Sequence, residues 1–436
     1  MFSQIRRLLI GTRVRRNLLT SGGANLFSAA VGLAFYPLAL HFLGYQLYGV
    51  WLAVSIVITL AQLGGIGLGP AVTNHVAEAV GRKTEREITV ALSCSYVLTV
   101  PLAALVGLLV NLSGPALVSV LALESERAAV AAEIMPWMAA LSGYMVIAQL
   151  SPAALLGIGR ADLASAVASC GRAGFLLTAG LLMLAGWKLE AVIAAHAVES
   201  VFTHLVSGWL LRRQVLIESF ETAHLDVETI KRLVFFGSRV VGTNVMQLML
   251  TPLNRVLLSR FAGIDSIPIF EIAWGSALRI RSFLDSAFKA LIPELTRSFA
   301  EGNRERLRGL LSRANRLAFY AGFPLHLLPT LVAPLALQLL LSDNFRPEVV
   351  PCFRLLALGS FVSLLAVPAH HHLLAIGCVN GMFIGHFILT VSNAVSALGL
   401  AYVGWLTPTT LCGSLMVGLI LSSVWFVVAS RSALRA

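Results

Sequence analysis

The stretch ITVALSCSYVLTVPLAALVGLLVNL, at residues 88–112, contains no charged side chain. A helix needs about 20 predominantly apolar residues to cross the hydrocarbon core of a bilayer, so we expect this stretch to span a membrane. Eleven further stretches resemble it in length and apolar character, which predicts about twelve spans. The expected spans are 17–41, 48–78, 88–112, 131–157, 161–186, 190–211, 230–258, 267–295, 311–340, 350–375, 380–402 and 408–430.

The composition agrees with a membrane protein. Hydrophobic residues make up 57% of the chain, charged residues only 12%, and the mean hydropathy is +0.83. A soluble domain would be about 25% charged. The composition and the spans predict an all-α polytopic membrane protein with both halves built from helices.

The net charge of +11 is distributed over the loops in an alternating pattern. Basic residues crowd the N-terminal segment, the C-terminal tail and every second loop, as in Arg82–Arg86 and Arg304–Arg316. The remaining loops carry only Arg127, Lys188, Arg260 and Arg346. Basic loops favour the cytoplasmic side, so the pattern places both termini in the cytoplasm. No basic patch lies on a soluble domain, and we therefore expect no nucleic-acid partner.

The two halves of the sequence resemble each other. Phe42-Leu43-Gly44 matches Phe261-Ala262-Gly263, and Leu155–Gly159 matches Leu373–Gly377, at nearly constant offsets. The repeat predicts a six-helix bundle at residues 1–212, a cytoplasmic linker at 213–229 and a second six-helix bundle at 230–436. Six spans per half give both halves the same orientation, and this predicts a pseudo-two-fold axis along the membrane normal. A substrate site is then expected between the halves, with alternating access by rocking.

Span 8 carries an unusual number of charges for a membrane helix. Arg281, Asp285 and Lys289 follow one another at intervals of four residues and form one stripe with a net positive charge. Charges within a bilayer usually face a cavity or a partner. The functional interpretation is a cationic cavity that holds an anionic group such as a phosphate, since arginine donates bidentate hydrogen bonds to phosphate. The structural interpretation is an ion network that locks span 8 to its neighbours.

Other polar residues complete the set of candidates. Further candidates for substrate binding are the cations Arg239, Arg255 and Arg279 and the amides Asn25 and Asn244, which occupy equivalent places in the two halves. The candidates for ion coupling are Glu271 and Asp285.

Several polar residues favour a structural interpretation. Arg172 is expected to pair with Glu199 or His204, and His370, His371 and His372 are interpreted as interfacial histidines. The glycine-rich segment at 64–70 predicts a kink, because it lacks the GxxxxGK[ST] pattern of a phosphate loop. No nucleophile–base pair, metal-ligand spacing or nucleotide fingerprint is present, so the sequence predicts neither an enzyme nor a cofactor.

The chain resembles the Wzx-type polysaccharide flippases, in the superfamily that also contains lipid II flippases and multidrug-and-toxin extruders. The resemblance rests on Leu43–Trp51 (LGYQLYGVW), on Leu155–Arg160 and on Pro293. In that family a basic residue follows an acidic one at the position of Arg255, whereas here Asn254 precedes it.

The resemblance implies twelve helices around a V-shaped cavity lined by spans 1, 2, 7 and 8. It also implies that the chain moves an undecaprenyl-diphosphate-linked oligosaccharide across a bacterial inner membrane. Arg239, Arg281 and Lys289 become the candidate phosphate contacts. The expected partners are that lipid-linked oligosaccharide, membrane lipids, and polymerase or glycosyltransferase proteins of the same pathway.

Two other functions stay open at this point. An ion-coupled extruder of organic cations would require carboxylates in its cavity, and a scaffold in a glycan-assembly complex would not require the charged stripe. Coupling to H⁺, to Na⁺ or to the membrane potential is compatible with the residues of span 8.

Overall fold

The structure, a computed structural model, describes residues 12–82, 85–215, 226–289 and 291–434. Every regular element in these ranges is helical. In chain order the helices are α1 (Thr12–Val54), α2 (Ile56–Ile66), α3 (Leu68–Arg82), α4 (Glu85–Val120), α5 (Ser125–Ala148), α6 (Leu150–Gly157), α7 (Ala161–Leu184), α8 (Leu189–Gln214), α9 (Val227–Phe261), α10 (Ser266–Lys289), α11 (Ile292–Ala300), α12 (Arg304–Leu341), α13 (Val349–Ala375), α14 (Val379–Tyr402) and α15 (Pro408–Ala433). A 3₁₀ turn, Ser342–Asn344, follows α12.

These helices confirm the predicted fold class. Most predicted spans lie on one helix or on two consecutive helices, whereas span 2, at 48–78, runs from the end of α1 through α2 into α3. The predicted kink in span 2 lies at Gly67, which separates α2 from α3. By length and composition, nine helical segments of the described chain could cross a membrane. The charged helices α9 and α10 are not among these nine.

The helix α1 bends at Gly44, where the backbone adopts φ 65°. Such a positive φ favours glycine. Directly after the bend, the Tyr45 hydroxyl donates a hydrogen bond to the Asn344 carbonyl at 2.8 Å. The Arg346 guanidinium lies 3.9 Å from the centre of the Tyr45 ring, and Tyr48 is fully buried. The aromatic residues of the LGYQLYGVW segment therefore anchor this turn.

The internal repeat predicted from the sequence recurs in the backbone. Gly159 and Gly377, 218 residues apart, both adopt a positive φ directly after a helix. At the first site, the Gly159 and Arg160 amides donate to the Leu156 and Leu155 carbonyls. At the second site, the amides of Gly377 and Cys378 donate to carbonyls at the equivalent positions. This pair of bonds is the Schellman motif that ends helices.

A second pair of turns follows the same offset. Gly186 and Gly404 adopt positive φ values, and a tryptophan follows each of them. Each turn again closes with two hydrogen bonds from the glycine and the tryptophan amides to the preceding helix. Equivalent helices in the two halves therefore end in the same way.

The chain forms two compact units. The first unit comprises the chain up to Phe35, Val54–Val118 and Ala128–Gly242, and the second comprises Tyr36–Ala53, Ser119–Arg127 and Thr243–Ala436. A core cluster of the first unit joins α3, α4, α6, α7 and α8. In the second unit, core clusters join α10 to α12 and α13, and α13 to α15. The six-plus-six division at residues 212 and 230 stays a prediction.

Candidate functional site

The charged residues of α10 lie inside the second unit. Glu271, the first of them along the chain, is bound by Arg255 of α9. Its Nε and Nη2 donate to Oε2 of Glu271 at 3.2 and 2.8 Å, and its Nη1 donates to the Leu52 carbonyl at 3.0 Å. The side chains of Arg255 and Glu271 are only 9% and 18% exposed. Arg255 was a candidate substrate contact, but these bonds use the guanidinium to join three segments of the unit.

The sequence alone did not reveal this ion pair. Asn254 precedes Arg255, so Arg255 has no carboxylate beside it in the chain. The structure supplies the carboxylate from the next helix, α10. Asn254 instead accepts a hydrogen bond from Asn393 of α14, at 2.7 Å between the two buried amides.

Arg279 lies about two turns after Glu271 on α10 and contacts Tyr36 of α1. Its Nη1 donates to the Tyr36 hydroxyl at 2.9 Å, and its guanidinium lies 5.3 Å from the centre of the ring. The hydroxyl in turn donates to the Glu271 carbonyl at 3.3 Å. These contacts orient Arg279, but a hydroxyl does not neutralise its charge.

Arg281 and Asp285 form the described part of the predicted stripe. Arg281 Nη1 donates to the Ser363 hydroxyl of α13 at 3.0 Å. Asp285 Oδ1 lies 3.5 Å from His371 Nε2, also on α13. The stripe therefore faces α13, and its carboxylate lies beside a histidine that periodicity along α10 alone could not identify.

His371 belongs to a cluster of histidine rings from two helices. The ring of His370 lies 5.6 Å from those of His371 and His386, the latter on α14. His370 Nε2 and His386 Nδ1 are buried and accept or donate no hydrogen bond in the structure. His372 faces elsewhere and bonds through Nδ1 to the Ser430 hydroxyl at 2.8 Å. His371 and His372, predicted to be interfacial, are buried within the unit.

Among the described residues, no group of three or more His, Cys, Asp or Glu side chains could hold a metal ion. The side chains of the candidates Asn25, Arg239, Asn244 and Lys289 lie outside the described residues. Their contribution to a site stays a prediction.

In the first unit, the predicted structural pair is present. Arg172 Nε lies 3.3 Å from Glu199 Oε1, and His196 Nδ1 lies 3.6 Å from Glu199 Oε2. His204, the other expected partner, instead lies near the rings of Tyr96 and Tyr144. Glu199 is thus bracketed by two basic side chains of its own unit.

Comparison with known proteins supports the fold and the family. The chain shares 24% identity over 191 residues with a Shigella flexneri protein assigned as a candidate O-antigen transporter, and the match spans 43% of this chain and 44% of that relative. An inward-facing multidrug resistance MATE family transporter of the MOP superfamily superposes with a TM-score of 0.75 at 16% identity, covering 98% of this chain and 96% of the other.

A second solved structure, a MOP superfamily transporter from Pyrococcus furiosus, gives a TM-score of 0.66 at 15% identity. It covers 99% of this chain and 98% of its own. These likenesses show that the chain shares the fold of the two solved proteins. The model of the family described as "Polysaccharide biosynthesis protein" matches residues 14–299. Because that match covers well over half of the sequence, the chain belongs to the polysaccharide biosynthesis protein family.

Proposed function

We propose that this protein is a flippase that moves an undecaprenyl-diphosphate-linked oligosaccharide from the inner to the outer leaflet of a bacterial inner membrane by alternating access. The family and the partial match to a candidate O-antigen transporter support a role in surface polysaccharide synthesis. The fold supports transport. The proposal includes cytoplasmic termini, as the basic loops predict, and no catalytic step.

One observation carries the proposal most directly. Arg279 and Arg281 lie two residues apart on α10, and their hydrogen bonds go to the hydroxyls of Tyr36 and Ser363. Hydroxyls hold the guanidinium groups in place without neutralising them, and Asp285 offsets part of the positive charge of Arg281. With Arg255, Glu271 and Asp285, the described cluster carries three positive and two negative charges. A surplus cation on a membrane helix is suited to an anionic head group.

The chemistry required of the site is modest. A diphosphate offers several anionic oxygens, and a guanidinium can donate two parallel hydrogen bonds to them. The lipid tail stays in the bilayer while the charged head crosses. We propose Arg281 as a phosphate contact, together with Arg239 and Lys289. Arg255 has a different role in this scheme, since it joins Glu271 to the Leu52 carbonyl.

The coupling step is proposed at Asp285. Its neighbour His371 lies at the edge of the histidine cluster, so a proton on this pair would change the charge of the site that receives the phosphate. Glu271 is a weaker candidate, because Arg255 holds it in an ion pair. If Na⁺ or the membrane potential drives transport instead, an Asp285→Asn variant should still transport. Its transport should then not depend on a pH gradient.

An extruder of organic cations is a less suitable alternative. Such a protein needs an accessible carboxylate, and Glu199 of the first unit is paired with Arg172 and flanked by His196. A scaffold that helps polymerases or glycosyltransferases assemble would not require the arginines of α10.

The deciding experiment uses a strain that lacks this protein. Complementation with the wild-type chain should restore surface polysaccharide and clear the lipid-linked unit from the inner leaflet. Arg281→Gln should fail to do so at normal membrane levels, whereas Arg313→Gln, an exposed arginine of α12, should complement fully. Normal polysaccharide export in the strain without the protein, or with Arg281→Gln, would contradict the proposal. Altered sensitivity to cationic drugs instead would favour the extruder.

A further inference from the structure

A second cationic site lies in the second unit, at the end where α12 begins and α15 ends. A pocket of about 490 Å³ lies there between α12, α13 and α15. Its charged lining consists of Arg308, Arg316 and Arg431, and no carboxylate lines it. Asn315 adds a polar group. The pocket is separate from the charged residues of α10 described above.

The three arginines differ from Arg297 and Arg306, which lie nearby and are paired with carboxylates. Arg306 pairs with Glu294 at 2.8 Å and with Glu301 at 3.7 Å, and Arg297 pairs with Glu301. Within the described ranges, no carboxylate pairs with an arginine of the pocket. Arg308 makes one long bond, of 3.5 Å, to the Leu434 carbonyl. Three like charges around one space repel each other, and an anion placed between them removes that repulsion.

The shape of the pocket restricts the kind of anion. Arg308 and Arg316 are two turns apart on α12, which corresponds to about 12 Å along the axis. Phe319 and Tyr320 follow one turn further and are exposed, at 48% and 73%. From there α12 continues as an apolar segment that could cross a membrane. The pocket thus leads from a cationic end to an apolar surface, which suits a ligand with an anionic head and a hydrocarbon tail.

The charge pattern of the sequence predicts that this end of α12 faces the cytoplasm. Basic pockets between membrane helices on that side bind the head groups of anionic lipids. We propose that Arg308, Arg316 and Arg431 form a binding site for the phosphate of an anionic phospholipid, with the acyl chain along Phe319 and Tyr320. The inference does not depend on the transported substrate.

The test uses the full-length protein, purified and delipidated in detergent. Phosphatidylglycerol should raise its melting temperature, whereas phosphatidylcholine with the same acyl chains should not. In the double variant Arg316→Gln/Arg431→Gln the apparent affinity for phosphatidylglycerol should fall at least tenfold. Arg313→Gln, which removes the same charge from α12 outside the pocket, should keep the wild-type response.

Further arms separate the possible explanations. The double variant Arg316→Lys/Arg431→Lys keeps the charge and should retain part of the lipid response. A loss of response that occurs only in the glutamine variant is then due to the missing charge and not to misfolding. An equal response of the glutamine variant and the wild type would overturn the proposal, as would equal stabilisation by phosphatidylcholine. Stabilisation by inorganic phosphate alone, to the same extent, would identify a soluble anion and also overturn the lipid assignment. Polysaccharide export is not a readout here, so this result and the flippase test can fail separately.

Discussion

Arg255 Nη2 and Glu271 Oε2 lie 2.8 Å apart, across the turn that joins α9 to α10. Both side chains are largely buried, and Arg255 also holds the Leu52 carbonyl. A buried ion pair contributes little net stability compared with apolar residues of the same volume, but removing one partner leaves an unpaired buried charge. The pair therefore fixes the arrangement of three segments more than it strengthens the fold.

Arg255→Ala should destabilise the protein by about 3–5 kcal/mol, because it leaves the Glu271 carboxylate without its partner. The unfolding midpoint of the purified protein in a denaturing detergent would measure this. The double variant Arg255→Met/Glu271→Met removes both charges and should recover most of the loss. If Arg255→Ala is as stable as the wild type, water reaches the ion pair.

Replacing Asn254 by Ala should cost about 1 kcal/mol, since the buried amide of Asn393 loses the acceptor of its 2.7 Å hydrogen bond. A double-mutant cycle with Asn393→Ala isolates the pairwise energy. We expect the sum of the losses in unfolding free energy of the two single variants to exceed the loss in the double variant. Simple additivity would mean that the amides do not interact.

Gly49→Ala should lower the melting temperature strongly. A Cβ at this position of α1 would overlap with the backbone carbonyl of Ile264, which cannot move as a flexible side chain can. Gly413→Ala in α15 is the matched control, because no atom lies within 4 Å of its added methyl group. Alanine is favoured over glycine inside a helix by about 1 kcal/mol, so the control should be neutral or slightly stabilised.

The N-terminus of α9 should respond to acid through Asp226. The hydroxyl and the amide of Thr229 donate to its carboxylate and hold the pKa of Asp226 below its usual value. The stabilisation is fully present above the unfolded-state pKa of about 4 and is lost as the pH falls through the lowered pKa of the folded state. Hydrogen exchange of the first turn of α9 should accelerate over that range. In Asp226→Asn this pH dependence should disappear.

Nine membrane-crossing helices of the described chain could be located from the sequence, because length and apolar character decide whether a helix can cross a membrane. The remaining three of the twelve expected spans stay a prediction. The turns could also be predicted in part, since Gly159 and Gly377 repeat at a constant offset and both end helices with a positive φ. Such features are local, and a single stretch of sequence is enough to specify them.

The contacts of the charged residues were harder to predict. The partner of Arg255 lies 16 residues away on the next helix, and identifying it requires the rotation of both helices about their axes. Asp285 belongs to the predicted cationic stripe of α10, and the structure also places it next to His371 of α13. Amphipathic periodicity shows which residues share a face, but it does not show which neighbouring helix that face meets.

The second unit includes Tyr36–Ala53, a segment that the ribosome delivers long before the rest of that unit. The Leu52 carbonyl cannot accept its hydrogen bond until Arg255 has been translated, 203 residues later. The interval between the Tyr36 hydroxyl and its donor, Arg279, is longer still. The second unit therefore cannot complete its contacts until translation is well into the C-terminal half. A gene divided at its midpoint would give a C-terminal fragment without these two acceptors, and the two fragments should be stable only when they are co-expressed.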